Sequence, residues 1–262
     1  MLLKKECHRL FFRWQTWVAL LIEFLIIITQ AVTINPANAN FTNNAFLHLT
    51  GFDGTGVGSR FYYFILPLTC ALAAGSTFQE DKQTHFLKAI LARRPTYKYL
   101  VTTLTSSFLV GGIIGCLPLI IEGCHFFLHY SVKRLPEHFE LMPIAKGGWG
   151  YPIFSTHPLL FWFITIIIIF VFSGLFSLIS LCASYYELRK GIEIVIPFGI
   201  VFISLLLSNL LNISEISITY LITPTFSNDY PYSFYALIGY FLLGIGTVAL
   251  LTWRKSKKDV FD

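Results

Sequence analysis

Six long apolar stretches constrain this chain to an all-α membrane protein. Each stretch is close to the ~20 residues that a helix needs to cross a ~30 Å hydrocarbon core. Only 13% of the residues are charged, against the roughly 25% typical of soluble domains. A helix satisfies its own backbone hydrogen bonds, so it can cross lipid without a partner. The predicted spans are residues 17–33, 61–78, 100–121, 159–184, 192–211 and 233–253.

The basic residues predict the direction of these spans. With both termini in the cytosol, 15 of the 19 Lys and Arg residues fall in inner segments and 4 in outer segments. This excess is the positive-inside pattern. We therefore expect a multi-pass plasma-membrane protein with cytoplasmic termini and a single transmembrane domain over residues 1–262. The net charge of +5 follows from the same bias and from anionic lipid, so no nucleic-acid partner is expected.

A charged segment, residues 79–99, separates the second and third spans on the cytosolic side. It reads QEDKQTHFLKAILARRPTYKY, with an acidic start, an apolar face, a basic end and then Pro95. This order predicts a short amphipathic helix on the membrane surface. The basic cluster Arg93, Arg94 and Lys98 fits two roles equally well, contact with an acidic protein surface or anchoring to the inner leaflet.

A second amphipathic pattern precedes the first span. Its apolar residues recur at intervals of three to four, with charged residues between them, at Leu3, Cys7, Leu10, Phe11 and Trp14. This spacing predicts an interfacial helix that lies on the inner leaflet. The helix is either a simple anchor and topology signal or a connecting helix that transmits movement from a cytosolic partner.

Several ionisable residues fall within or beside the predicted spans, among them Glu23, Glu122 and His125. Glu23 lies in the first span, where a charged side chain costs ~2.5 to 3.5 kcal/mol on insertion scales. A functional role, in a substrate path or an interhelix polar contact, and a structural role fit Glu23 equally well. Glu122 and His125 lie near the outer end of the third span, where we expect the interface to solvate them.

No pattern in the chain predicts catalysis. The sequence lacks H-E-x-x-H, lacks the G-x-x-x-x-G-K-[ST] phosphate loop, and has no C-x-x-C among its 5 cysteines. We therefore expect no enzymatic activity and no cofactor or metal bound by this chain.

An ordered series of residues runs from the end of the second span toward the beginning of the third. The series is Gly75, Phe78, Glu80, Asp81, Thr84, Leu87, Leu91 and Pro95. It resembles the permease family of type-2 ATP-binding-cassette exporters, in which an acidic residue, a Gly-Thr pair, two leucines and a proline form the coupling helix. Gln83 stands where that family has the glycine. The six-span layout, the N-terminal helix and the apolar stretch before the last span are also similar.

The resemblance implies that this chain moves a substrate outward with ATP hydrolysed elsewhere. ATP and Mg would bind separate ATPase subunits, and a second permease chain, identical or related, would complete the transporter within membrane lipid. Amphipathic peptides (including bacteriocins, in self-protection), drugs and lipid-like molecules all remain open as substrates. The residues implied in ATPase docking are Glu80, Asp81, Thr84, Leu87, Leu91, Arg93, Arg94 and Pro95. Leu87→Asp or Leu91→Asp is expected to uncouple the exporter without unfolding it.

Two other classes remain open at this point. An ion-gradient-driven secondary transporter would work through Glu23 and would lose transport in Glu23→Gln. A non-transporting scaffold or sensor subunit would purify without an ATPase.

Overall fold

The computed structural model describes residues 2–34, 44–53, 56–84, 87, 90, 95–133, 143–144, 148–186, 191–224 and 233–257. Two 3₁₀ turns, Ala45–Leu47 and Ser214–Ile216, accompany the α-helices of this part of the chain. The α-helices are α1 (Leu2–Phe11), α2 (Trp14–Thr33), α3 (Val57–Ala74), α4 (Thr77–Gln83), α5 (Thr96–His129), α6 (Tyr151–Thr156), α7 (Pro158–Ser184), α8 (Ile192–Leu211), α9 (Ile218–Ile222) and α10 (Ser233–Lys257).

Within the described residues, six helical stretches are long and apolar enough to cross a membrane. They are α2, α3 together with α4, α5, α7, α8 and α10. The prediction of an all-α, multi-pass membrane protein is therefore confirmed. The second stretch begins at Val57 rather than at residue 61, and α5 extends eight residues beyond the predicted end at Ile121.

Glu122 lies at the beginning of this extension of α5. This carboxylate is buried, and it accepts hydrogen bonds from the Thr50 backbone N–H and from the Thr50 hydroxyl, the latter at 2.7 Å. A buried carboxylate is tolerated when several donors satisfy it. The expectation that the interface solvates Glu122 was wrong, whereas His125 is exposed as expected. Glu122 therefore holds the 44–53 connection against the bundle through its hydrogen bonds with Thr50.

The helices α5 and α7 cross at close distance. A Cβ atom added at Gly111 would lie 2.4 Å from the Ser177 Cβ, and one at Gly115 would lie 2.1 Å from the Ser173 hydroxyl. Small residues permit such close backbone approach between membrane helices. Gly111 and Gly115 therefore lie at a close crossing of α5 and α7.

The bundle has two dissimilar ends. The end that carries both termini, called the terminal end below, contains α1, α4 and the beginning of α5. At the opposite end, an aromatic cluster packs the connections against α5 and α7. Its larger members are Phe46, Phe52, Phe126, Phe154, Phe161 and Trp162. The apolar stretch before the last span contains the short helix α9, with Ile218, Leu221 and Ile222 buried against the bundle.

A bulky residue at the α5–α7 crossing should destabilise the fold. We expect Gly111→Leu to lower the free energy of unfolding by ~1 to 3 kcal/mol, because overpacking forces the helices apart. Gly246→Leu on α10 is the control, since a Cβ there meets nothing within 4 Å. Unfolding in mixed detergent micelles, followed by tryptophan fluorescence, measures both. Equal stability of the two variants would contradict the close crossing.

Candidate functional site

The N-terminal helix turns sharply into the first span and is held against the bundle. The Thr16 hydroxyl donates a hydrogen bond of 2.7 Å to the Leu10 carbonyl across this turn. Leu10 is fully buried, in a cluster that includes Ala74 of α3 and Val110 of α5. Phe12 and Trp14 remain exposed beside the turn, as aromatic residues do at a membrane interface. The helix α1 therefore packs on protein along one side.

A glycine brings the beginning of α4 against α7. Gly75 separates α3 from α4, and a Cβ atom there would lie 1.8 Å from the Ser180 hydroxyl oxygen. The Ser180 hydroxyl in turn donates a 2.7 Å hydrogen bond to the Glu193 carbonyl at the beginning of α8. The junction of α3 and α4 thus packs against α7, which is hydrogen-bonded here to α8. These contacts fix the direction in which α4, with Glu80 and Asp81, continues from α3.

Arg9 of α1 and Asp81 of α4 form a two-bond ion pair. Arg9 Nη1 donates to Asp81 Oδ1 at 2.7 Å, and Nη2 donates to Asp81 Oδ2 at 3.1 Å. The Tyr99 hydroxyl, near the beginning of α5, donates to Asp81 Oδ2 at 2.8 Å. Asp81 is buried, and its side chain is 5% exposed. Paired guanidinium–carboxylate bonds fix geometry as well as charge, so three helices meet at one carboxylate.

A second ion pair lies beside the first. Arg13 pairs with Glu80, and its guanidinium also donates to the Ser76 hydroxyl at 3.1 Å. The Gln15 side-chain amide donates to Glu80 Oε1 at 3.1 Å. We call Arg9, Arg13, Glu80, Asp81 and Tyr99 the N-terminal ion-pair cluster.

Burial and pairing shift the pKa values of the cluster in opposite directions. Burial opposes the charge of Arg9, but the hydrogen bonds and the charge of Asp81 outweigh burial and raise the pKa of Arg9. Burial lowers the pKa of Arg13 despite its pairing with Glu80. Burial also raises the pKa of Glu6, which pairs with Arg9. Pairing therefore outweighs burial at Arg9, whereas burial outweighs pairing at Arg13.

Leu87 faces the bundle. It is buried among Tyr99, Leu181 and Val248, which come from α5, α7 and α10. An aspartate at this position would bring a charge into that cluster. The burial of Leu87 argues against the expectation that Leu87→Asp leaves the fold intact, and it places Leu87 in contact with α5, α7 and α10.

The structure brings together only part of the site predicted from the sequence. Glu80 and Asp81 share the N-terminal ion-pair cluster, whereas Thr84 is exposed at the end of α4 and Pro95 immediately precedes α5. Leu91, Arg93 and Arg94 lie outside the described residues. Sequence reasoning missed the partners Arg9, Arg13 and Tyr99. Opposite charges on two amphipathic segments of the same membrane side were the available signal.

Glu23 lies inside the bundle, on α2. The Thr69 hydroxyl of α3 donates to Glu23 Oε1 at 2.5 Å, and Oε2 is buried with no hydrogen-bond partner among the described residues. The predicted interhelix polar contact is thus present, with one oxygen satisfied.

No protein-family model, curated protein or solved structure matches the chain at a significant level. Within the described ranges, no group of three or more His, Cys, Asp or Glu side chains could hold a metal ion. The geometry of the site is therefore the basis for a functional proposal.

A double-mutant cycle should detect the bond between Arg9 and Asp81. We expect Arg9→Met and Asp81→Asn to couple by ~1 kcal/mol or more in the free energy of unfolding, because hydrogen bonds to charged groups contribute ~1.5 to 3 kcal/mol. The matched cycle uses Lys5→Met with Asp81→Asn, since Lys5 is exposed on the same helix. Unfolding in mixed micelles measures both cycles. Equal coupling energies would contradict a specific pair.

Proposed function

We propose that this chain is the transmembrane permease subunit of an ATP-binding-cassette exporter, whose ATPase is a separate subunit that docks on the 79–99 segment. The proposal rests on the sequence resemblance of that segment and on one structural observation. The beginning of the segment is joined to α1 by the N-terminal ion-pair cluster, and its middle is joined to the bundle at Leu87.

The N-terminal ion-pair cluster joins α1 and α4 into one mechanical unit. Asp81 binds Arg9 through two hydrogen bonds, so a displacement of α4 must move α1 or break both. A broken pair would leave a buried carboxylate without its cation, and such losses cost ~3 to 5 kcal/mol in protein interiors. A partner that pushes on the 79–99 segment would therefore move the N-terminal helix as well. This favours the connecting-helix interpretation of α1 over a simple anchor.

Two contacts connect α1 and α4 to the membrane-spanning helices. Tyr99 connects Asp81 to the beginning of α5, and Leu87 packs beside Leu181 of α7 and Val248 of α10. The close crossing at Gly111 then couples α5 to α7 along the bundle. Since packed interfaces shift between discrete arrangements, a push at the terminal end would tilt these helices together.

The proposed cycle needs two permease chains around a shared path. ATP-driven closure of the ATPase subunits would press on the 79–99 segment of each chain and rock the bundles from an inward-open to an outward-open state. The substrate class favoured is an amphiphile, a peptide, drug or lipid-like molecule. By the distribution of basic residues, the terminal end faces the cytosol of the plasma membrane.

Copurification tests the docking surface. We expect the tagged chain, extracted in mild detergent from its host, to retain a stoichiometric ATPase subunit identified by mass spectrometry. Thr84→Trp should reduce the retained ATPase at least tenfold, because an exposed indole at the end of α4 would obstruct docking.

Thr156→Trp is the matched control at the opposite end. Both threonines are exposed, and both hydroxyls donate a 2.8 Å hydrogen bond to the carbonyl four residues earlier. The control variant should retain the ATPase fully. A wild-type chain that purifies alone would contradict the exporter and favour a scaffold or sensor subunit; equal retention by both variants would contradict docking near Thr84.

Glu23 supports a second candidate, a secondary transporter driven by an ion gradient. Its carboxylate is 1% exposed, pairs with Thr69 through one oxygen and has no hydrogen-bond partner for the other among the described residues. Intramembrane carboxylates of this kind commonly serve ion or proton pathways.

Substitution at Glu23 separates the two candidates. A secondary transporter predicts ATP-independent transport in vesicles that is abolished in Glu23→Gln. The exporter predicts that transport requires ATP and that Glu23→Gln retains it within about threefold, because glutamine still accepts the Thr69 hydrogen bond. Transport of fluorescent amphiphiles, with and without ATP and an ion gradient, measures this.

A further inference from the structure

A groove of about 470 Å³ opens on the lipid-facing side of the bundle, at the end opposite the termini. It lies between the beginning of α3, the outer half of α8 and the short helix α9. Most of its wall is apolar, with Phe61 and Phe64 from α3 and Leu205 from α8. The Phe64 ring meets Phe198 edge-on at 5.1 Å, which gives this wall a firm aromatic backing.

The groove also contains an unsatisfied polar group. Thr219 of α9 lines it, and the Thr219 hydroxyl oxygen is buried with no hydrogen-bond partner among the described residues. The residue as a whole is 7% exposed. A buried hydroxyl without a partner is unfavourable, so its presence at the wall of an open groove indicates a ligand with a polar atom.

The positive charge of Arg60 at the groove indicates a ligand with an anionic headgroup. Arg60 lines it, is exposed, and lies at the first turn of α3, where a span meets the membrane interface. A guanidinium binds phosphate oxygens through paired hydrogen bonds more readily than an ammonium does. One groove thus combines a cation, a hydroxyl with no partner among the described residues, and an aromatic wall.

We propose that this groove binds one anionic phospholipid from the surrounding bilayer, with its phosphate at Arg60 and its upper acyl chain along Phe61, Phe64 and Leu205. The exposed Phe61 places the opening of the groove in contact with lipid, so a bilayer lipid reaches it by lateral diffusion. The site is independent of the proposed export function, and it lies away from the N-terminal ion-pair cluster.

Native mass spectrometry of the detergent-purified chain tests the site. Phosphatidylglycerol and phosphatidylcholine with the same acyl chains are added in equal amounts, and the bound fraction of each is measured. We expect the wild-type chain to retain one phosphatidylglycerol with about tenfold preference, equivalent to ~1.4 kcal/mol. Arg60→Gln should remove that preference, and Lys133→Gln, at the same end of the bundle, should leave it intact.

Two further variants test the groove itself. Leu205→Trp fills the trough and should abolish retention of the lipid. Thr219→Val should weaken phosphatidylglycerol binding severalfold without lowering the melting temperature of the lipid-free chain, because it removes a buried hydroxyl that lacks a partner. Melting temperatures of all variants, measured without added lipid, show whether each one folds.

The lipid-binding results either support or overturn the proposed site. Loss of the preference in Arg60→Gln together with loss of binding in folded Leu205→Trp supports it. A wild-type chain that binds the two lipids equally overturns it, because a nonspecific lipid annulus would give that result. Retention of the preference by folded Arg60→Gln also overturns it.

Discussion

The position of α1 depends on one buried carboxylate, Asp81. Two hydrogen bonds from Arg9 and one from Tyr99 converge on it, and they bring together α1, α4 and α5. A charge taken out of water needs such partners, because its desolvation is otherwise uncompensated. An amphipathic helix held only by lipid could slide on the leaflet; α1 cannot do so while this pair is intact. The proposed route from an ATPase into the bundle begins here.

Inside the bundle, close packing of small residues holds the helices together in addition to the ion pair at Asp81. Glycines of α5 lie against Ser173 and Ser177 of α7, and Gly75 lies against Ser180. Helix backbones this close have little room to adjust individually, because densely packed interfaces transmit strain. A displacement at the terminal end would therefore reach the aromatic cluster at the opposite end. Glu122 and Thr50 hold the 44–53 connection there against α5.

Much of the architecture follows from local pattern, whereas the site does not. Apolar runs predicted six spans to within about eight residues, because each span is a property of one stretch of chain. The end of α5 was misplaced, and the burial of Glu122 was missed because its partner Thr50 lies 72 residues away. The family resemblance implied Leu87 and Leu91 in ATPase docking, but amphipathic spacing does not show whether the apolar side of a helix meets a partner or the bundle. Leu87 meets the bundle. The pairing of Arg9 with Asp81 is equally nonlocal.

In the proposed exporter, an ATPase subunit contacts the terminal end at the 79–99 segment and α1. Cross-linking of the complex purified from host membranes tests this contact directly. A lysine-reactive cross-linker and mass spectrometry would map which lysines of this chain join the copurified subunit. We predict that Lys5 of α1 and Lys82 of α4 are linked to the ATPase subunit, and that Lys133 at the opposite end is not. Links confined to Lys133, or a copurified ATPase that never joins Lys5 or Lys82, would contradict it.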